Sequence, residues 1–197
     1  MKKTGIIVLL LALMMFTAGC TGTKSSVSKT QTSNTVSSSR VVPEKYVEVE
    51  GVKIYPSLIH FYMYGMKTCP HCRHMHQLIP QEFGKDSLTY YELVNNKTNQ
   101  KLFSQLAQLT GITGVPAIAI TYNGTLYAVI EGEFNVSSTF EILATAMKNN
   151  GTFLFVGKTY LLPHKDKKSQ ILINALYRLF VKHEPVDVQE VIKEMKS

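Results

Sequence analysis

The sequence is poor in cysteine, in long hydrophobic runs and in net charge beyond its N-terminal region, and each shortage excludes something. Only three cysteines occur in 197 residues, so an even disulfide framework is not available. The apolar run at the N-terminus, Ile6 to Phe16, spans 11 residues, too short to cross about 30 Å of hydrocarbon as a helix. The formal charge is +7, but Lys2, Lys3, Lys24, Lys29 and Arg40 supply five of those positives. The remainder carries about +2, too little to suggest a nucleic-acid partner. No internal repeat is visible. What is present, 45% hydrophobic and 10% aromatic residues, suffices for one buried core with appendages rather than for a disordered chain.

Lys2 and Lys3 ahead of the Ile6–Phe16 run, which ends in small residues, form a signal-peptide pattern over residues 1–19. Thr17-Ala18-Gly19-Cys20 resembles the lipobox of prokaryotic lipoproteins, with Thr17 where leucine is usual. The resemblance implies lipidation of the Cys20 sulfur and a chain held on the outer face of the cytoplasmic membrane; an uncleaved anchor and plain secretion are the alternatives. Residues 20–43 are dominated by Ser and Thr without apolar periodicity, as in a flexible tether. With Cys20 lipidated, Cys69 and Cys72 remain as a lone pair in a compartment that permits disulfides.

Residues 44–151 alternate element types. A short strand or hairpin lead-in (44–57) precedes a β-rich apolar run (58–65) ended by Gly65. A helical pattern starts at Pro70, with Met75, Leu78, Ile79 and Phe83 on one face, Pro80 as an expected kink or end, and Gly84 as a stop. A strand (87–94), an amphipathic helix (99–111), a hairpin turning at Asn123-Gly124 and a helix (138–149) follow. This order implies an α/β fold, a central mixed sheet with helices on both faces. Residues 152–197 read as a C-terminal extension docked on that unit: a hairpin turning at Gly157-Lys158, a helix over 166–182, and a last helix opened by a capping box from Asp187 to Glu190. Four Asn-X-Ser/Thr sequons, at Asn96, Asn123, Asn135 and Asn150, suit either glycosylation of an exported chain or the ordinary use of Asn and Thr in turns.

The stretch "KTCPHCRHMH" (67–76) holds two cysteines and three histidines. Cys69 at a helix N-cap, with Pro70 at the first helical position, would set a thiolate against unpaired backbone N–H groups and the positive helix end. His71, if cationic, adds a second stabiliser, and Cys72 lies one turn on, within disulfide reach. A thiolate so stabilised favours the reduced state, so the oxidised pair tends to hand its disulfide on.

Cys69-Pro70-His71-Cys72 after an apolar strand, with Gly114-Val115-Pro116 before a later strand, resembles the thioredoxin superfamily, with the active-site sequence of DsbA-type disulfide oxidases. The resemblance covers roughly residues 45–150 and implies a thioredoxin-like fold and protein thiol–disulfide exchange, with Val115 offering its backbone to the client chain and Pro116 in cis. It implies no cofactor beyond the Cys69–Cys72 pair, and a separate membrane or soluble redox partner to recycle it; the chain is expected to be monomeric. Two departures stand out. Only 47 residues separate Cys69 from Pro116, without room for the helical insertion of DsbA, and the buried acid that such proteins carry six residues before the first cysteine is Met63 here. His76, one turn beyond Cys72 on the same helix face, is therefore the expected proton acceptor for Cys72. Arg73 and His74 are expected to be solvated, Arg73 adding positive potential near the thiols.

Two alternatives remain open. A tethered reductase of exported disulfides, including haem-attachment cysteines, would use the same residues in the opposite direction. A Cu- or Zn-binding module would draw on Cys69, Cys72, His74 and His76, with Met66 and Met75 as soft donors. One helix turn offers tetrahedral ligation poorly, because structural zinc sites gather ligands from separate segments.

Overall fold

A computed structural model describes residues 45–197; the expected signal peptide, Cys20 and the expected tether lie outside the described residues. The lead-in is a small antiparallel hairpin, β1 (Val47–Val49) and β2 (Val52–Ile54), separate from the main sheet. The main elements follow in the expected order: β3 (Ile59–Gly65), α1 (Pro70–Phe83), β4 (Leu88–Glu92), α2 (Lys97–Thr110), β5 (Ala117–Tyr122), β6 (Thr125–Glu131) and α3 (Thr139–Lys148). The last part comprises β7 (Gly151–Val156), β8 (Lys158–Pro163), α4 (Lys167–Tyr177) and α5 (Val188–Lys196).

Six strands form one mixed sheet in the order β4-β3-β5-β6-β7-β8. β3 pairs parallel with β4 and antiparallel with β5, and β6 pairs parallel with β7. The period-2 alternation of β3 feeds two cores. Ile59, Phe61 and Met63 face α1 and α3 with Met75, Ile79 and Leu143. Tyr64 faces the opposite layer, where Leu102 and Leu106 of α2 meet Ala175 and Leu176 of α4.

Helix ends follow local chemistry. Asn96 caps α2 by accepting from the Asn99 N–H at 3.0 Å, and Gly111 closes the helix at φ +80°, a conformation glycine adopts without steric cost. Of the two outcomes expected at Pro80, an early end does not occur: α1 runs on to Phe83 and stops at Gly84, as expected. Beyond the proline, the Phe83 ring packs at a tilt against Phe61 at 5.0 Å and Phe140 at 5.5 Å, and this packing holds the last turn despite the lost N–H.

The C-terminal hairpin does not sit on the sheet; β7 and β8 extend its edge. The helix expected over 166–182 is α4 followed by a π turn, Arg178–Lys182. Two buried or half-buried tyrosines fasten that turn: Tyr64 Oη donates to the Leu179 carbonyl at 2.6 Å and Tyr91 Oη to that of Phe180 at 2.8 Å. Asp187 caps α5 by accepting from the Glu190 N–H at 3.0 Å. All four sequon asparagines are exposed and each has a local role. Asn96 is a cap, Asn135 accepts from the Ser137 N–H at 3.2 Å, and Asn123 and Asn150 hold turns at φ +47°. Among the described residues no helix is long and apolar enough to cross a membrane.

Candidate functional site

The C-terminal ends of β3, β4 and β6 and the N-terminal end of β5 lie together at one end of the sheet, through the pairs Gly65 with Glu92, Tyr64 with Ala117, and Ala117 with Glu131. The loop into α1 and the loop before β5 therefore emerge side by side. Cys69, on the first loop, is the N-cap of α1, with Pro70 at the first helical position. Its Sγ accepts from the Cys72 N–H at 3.3 Å, and across the site its thiol lies 3.7 Å from the Val115 carbonyl oxygen. The Val115–Pro116 bond is cis. Cys69 is part-exposed, whereas Cys72 is 1% exposed. Burial first, then the neighbouring Cys69, pushes the Cys72 thiol up to about 12. Both cysteines are free thiols.

An acidic segment that the sequence does not advertise ties the two loops together. Glu131, at the end of β6, accepts from the N–H groups of Thr113 and Gly114 at 2.8 and 2.6 Å, and the Gly132 N–H donates to the Pro116 carbonyl at 2.7 Å. Glu133 takes the helix side: His71 Nδ1 donates to one carboxylate oxygen at 2.6 Å, and His74 Nδ1 donates to the other. Hydrogen bonds from His71 and then His74 hold the Glu133 carboxyl below its ordinary value. His71 is thus bound to a carboxylate beside the thiols, and His74 is exposed but engaged rather than merely solvated. Arg73 also has partners, donating to the carbonyls of Lys67 and Thr68, both at 3.2 Å.

Behind the cysteines, Lys67, Cys72, Arg73, His76, Gln77 and Tyr90 line a cleft of about 230 Å³. His76 meets the Tyr90 ring edge-on at 5.0 Å. Met63 is fully buried, so no carboxylate lies at that strand position. The nearest acid is Glu92, at the end of β4. It accepts from the N–H groups of Lys67 at 3.0 Å and Val94 at 2.8 Å, and from Tyr90 Oη at 3.4 Å. Partial burial pushes the Glu92 carboxyl up, but those donors outweigh it and leave it below its ordinary value. Burial, then the Glu92 charge, raises the Tyr90 phenol.

The fold therefore brings together Cys69, His71, Cys72, Val115 and Pro116 at one sheet end and sets His76 behind Cys72. Cys20 lies outside the described residues. The four side chains of the metal reading do not gather around one point, since His74 turns to Glu133; among the described residues no three His, Cys, Asp or Glu side chains form a metal-holding group. Sequence reasoning missed Tyr90, Glu92, Glu131 and Glu133. Only the β4 alternation, which sets Tyr90 and Glu92 on the α1 side, carried a signal for any of them. No protein-family model and no curated protein matches the chain.

Proposed function

We propose that the chain is a membrane-tethered, extracytoplasmic thiol–disulfide oxidoreductase with a thioredoxin-like fold, cycling Cys69 and Cys72 between dithiol and disulfide and leaning towards disulfide donation. One observation carries this reading. Cys69 caps α1 with the Cys72 N–H on its sulfur, while the Val115 carbonyl faces it from the opposite loop at 3.7 Å. A nucleophilic sulfur at a helix N-terminus, a second sulfur one turn away and a backbone carbonyl opposite are the parts that disulfide exchange with a peptide needs.

In donation, a client thiolate attacks Cys69 Sγ, the Cys69–Cys72 bond breaks, and Cys72 departs with the electron pair and takes up a proton. A second client thiolate then attacks the client sulfur of the mixed disulfide, and Cys69 leaves as a thiolate. The client is oxidised by two electrons and the pair is reduced; a separate membrane or soluble partner must reoxidise it. His71 and the free N–H groups of the α1 end favour the Cys69 thiolate as leaving group. His76 is the acceptor or donor of the Cys72 proton at the mouth of the cleft. The same residues run backwards constitute a reductase, and the potential of the pair separates the two directions.

Replacing Cys72 by Ala in the full chain is expected to trap mixed disulfides with exported thiol proteins, visible as reducible higher-mass adducts. Replacing Cys69 by Ala is expected to abolish them. Equal trapping by both variants, or by neither, would sink the reading.

A further inference from the structure

The chemistry just described leaves a problem at Cys72. Every opening or closing of the Cys69–Cys72 bond passes through a negative charge on the sulfur of a residue that is 1% exposed, with Met63 where an acid is expected and, among the described residues, no cation bonded to it. An isolated buried thiolate is costly, so donors fixed in advance must meet the charge as it forms.

Gly65 shows where such a donor lies. A Cβ at that position would lie 2.9 Å from Tyr90 Cε2, 3.2 Å from Tyr90 Oη and 3.3 Å from Cys72 Cβ. The phenol and the cysteine thus meet over the one residue of β3 that has no side chain. They also share the wall of the same cleft. The Met66 backbone favours the Cys72 thiolate, though less strongly than burial opposes it. Tyr90 is free to act as a donor at little cost. Its hydroxyl reaches Glu92 at 3.4 Å, a long contact, and that carboxylate is already satisfied by the N–H groups of Lys67 and Val94 at 3.0 and 2.8 Å.

We propose that the Tyr90 hydroxyl is the donor that holds the Cys72 thiolate whenever the Cys69–Cys72 bond opens or closes. This deepens the oxidoreductase reading and rests on it. In the closing direction the Cys72 thiol gives its proton to solvent in the cleft or to His76. Tyr90 Oη–H turns from Glu92 to the sulfur, and Cys72 attacks Cys69 Sγ. The Cys69–Cys72 bond forms, the bond from Cys69 to the client sulfur breaks, and the client leaves as a thiolate with the electron pair. No outside oxidant or reductant enters this step. Burial and the Glu92 charge, both raising the phenol, keep Tyr90 protonated and able to donate through the neutral range.

Tyr90 is here a donor to a reacting atom, whereas Glu92 opposes the thiolate, its charge being one of the causes that push Cys72 up. The two side chains therefore predict effects of opposite sign. Among the described residues, the other charged or titratable groups around Cys72 are Lys67 and Cys69 on the loop and Arg73 and His76 on α1.

The test is closure kinetics in the full chain. Cys69 is loaded as a mixed disulfide with a chromogenic aryl thiol, and release of that thiol by Cys72 is followed across pH. Tyr90→Phe keeps the ring against Gly65 and removes only the hydroxyl. It is expected to slow release by about 10- to 100-fold, within the range of removing one preorganised donor, and to move the rise in rate to higher pH. Glu92→Gln is expected to speed release, and alkylation of Cys69 is expected to stay at the wild-type rate in Tyr90→Phe. An unchanged rate and pH profile in Tyr90→Phe would overturn the proposal, as would slowing in Glu92→Gln comparable to that in Tyr90→Phe, which would make Glu92 the proton acceptor instead. If either variant melts below the assay temperature, the other still decides through its sign. A wild-type chain that never releases the aryl thiol, or does so equally as Cys72→Ala, would instead defeat the oxidoreductase reading itself.

Discussion

Cys69 and Cys72 share one motif but occupy different environments, and the difference is measurable. Cys69 caps the helix in part-exposed surroundings; Cys72 is buried and pushed up to about 12 from an ordinary 9.0. A thiol whose folded-state value lies above its unfolded one stabilises the fold fully below the unfolded value. That contribution is lost as pH rises from about 9 towards 12. Urea unfolding of the reduced chain is therefore expected to show stability falling above pH 9, with a part of the slope, up to about 1 kcal/mol per pH unit, missing in Cys72→Ala. A variant with the same slope as the parent would contradict this. In the reduced chain, iodoacetamide at neutral pH is expected to label Cys69 and spare Cys72. The pair itself was legible in the sequence because spacing, proline and preceding strand are all local. Glu131 and Glu133 were not, since nothing local tells that a hairpin 60 residues on will return its acidic end to His71 and to the Thr113–Gly114 loop.

At the scale of elements, hydrophobic periodicity located β3, α2 and the Asn123-Gly124 hairpin, because each is set by local propensity and burial. At Pro80 it left a kink or an end open, and aromatic packing of Phe83 against Phe61 and Phe140 accompanies a helix that runs past the proline to Gly84. Gly65 reads in sequence as a strand terminator, yet its structural role is clearance for Tyr90 and Cys72. Gly65→Ala is expected to cost about 1–3 kcal/mol, the usual range for overpacking, and to slow closure of the pair by displacing Tyr90. Thermal melting and the aryl-thiol assay read the two effects separately. The π turn after α4 carries a second dependence. His183 stacks on Tyr91 at 4.2 Å, its ring nitrogen lies 2.8 Å from the Asn99 side-chain oxygen, and burial lowers its value. A depressed histidine stabilises above its unfolded value and loses that contribution as pH falls below about 6.5. Hydrogen exchange of residues 178–183 is expected to accelerate on acidification through that range and to become pH-insensitive, after correction for intrinsic rates, in His183→Phe.

For the whole molecule, the C-terminal extension is part of the sheet and of one core rather than an addition to a finished unit. The sequence showed its hairpin, its helices and that they dock, but not where, which depends on long-range contacts of Tyr64 and Tyr91 with the Leu179 and Phe180 carbonyls. Deleting residues 152–197 would uncover the β6 edge and the layer holding Leu126 and Val129. The truncated chain is expected to be insoluble or to lack a cooperative unfolding transition, whereas a cooperative, soluble fragment would contradict this view of the fold. Under the proposed function, Cys69 and Cys72 form a reversible redox couple biased towards giving its disulfide away. Equilibrating the chain in graded thiol–disulfide buffers and quantifying the two thiols measures this most directly. A two-electron transition is expected at a potential clearly above the roughly −270 mV of thioredoxin, towards the roughly −120 mV of DsbA. A midpoint at or below the thioredoxin value would contradict the donor direction, and the absence of any reversible Cys69–Cys72 disulfide would contradict the account as a whole.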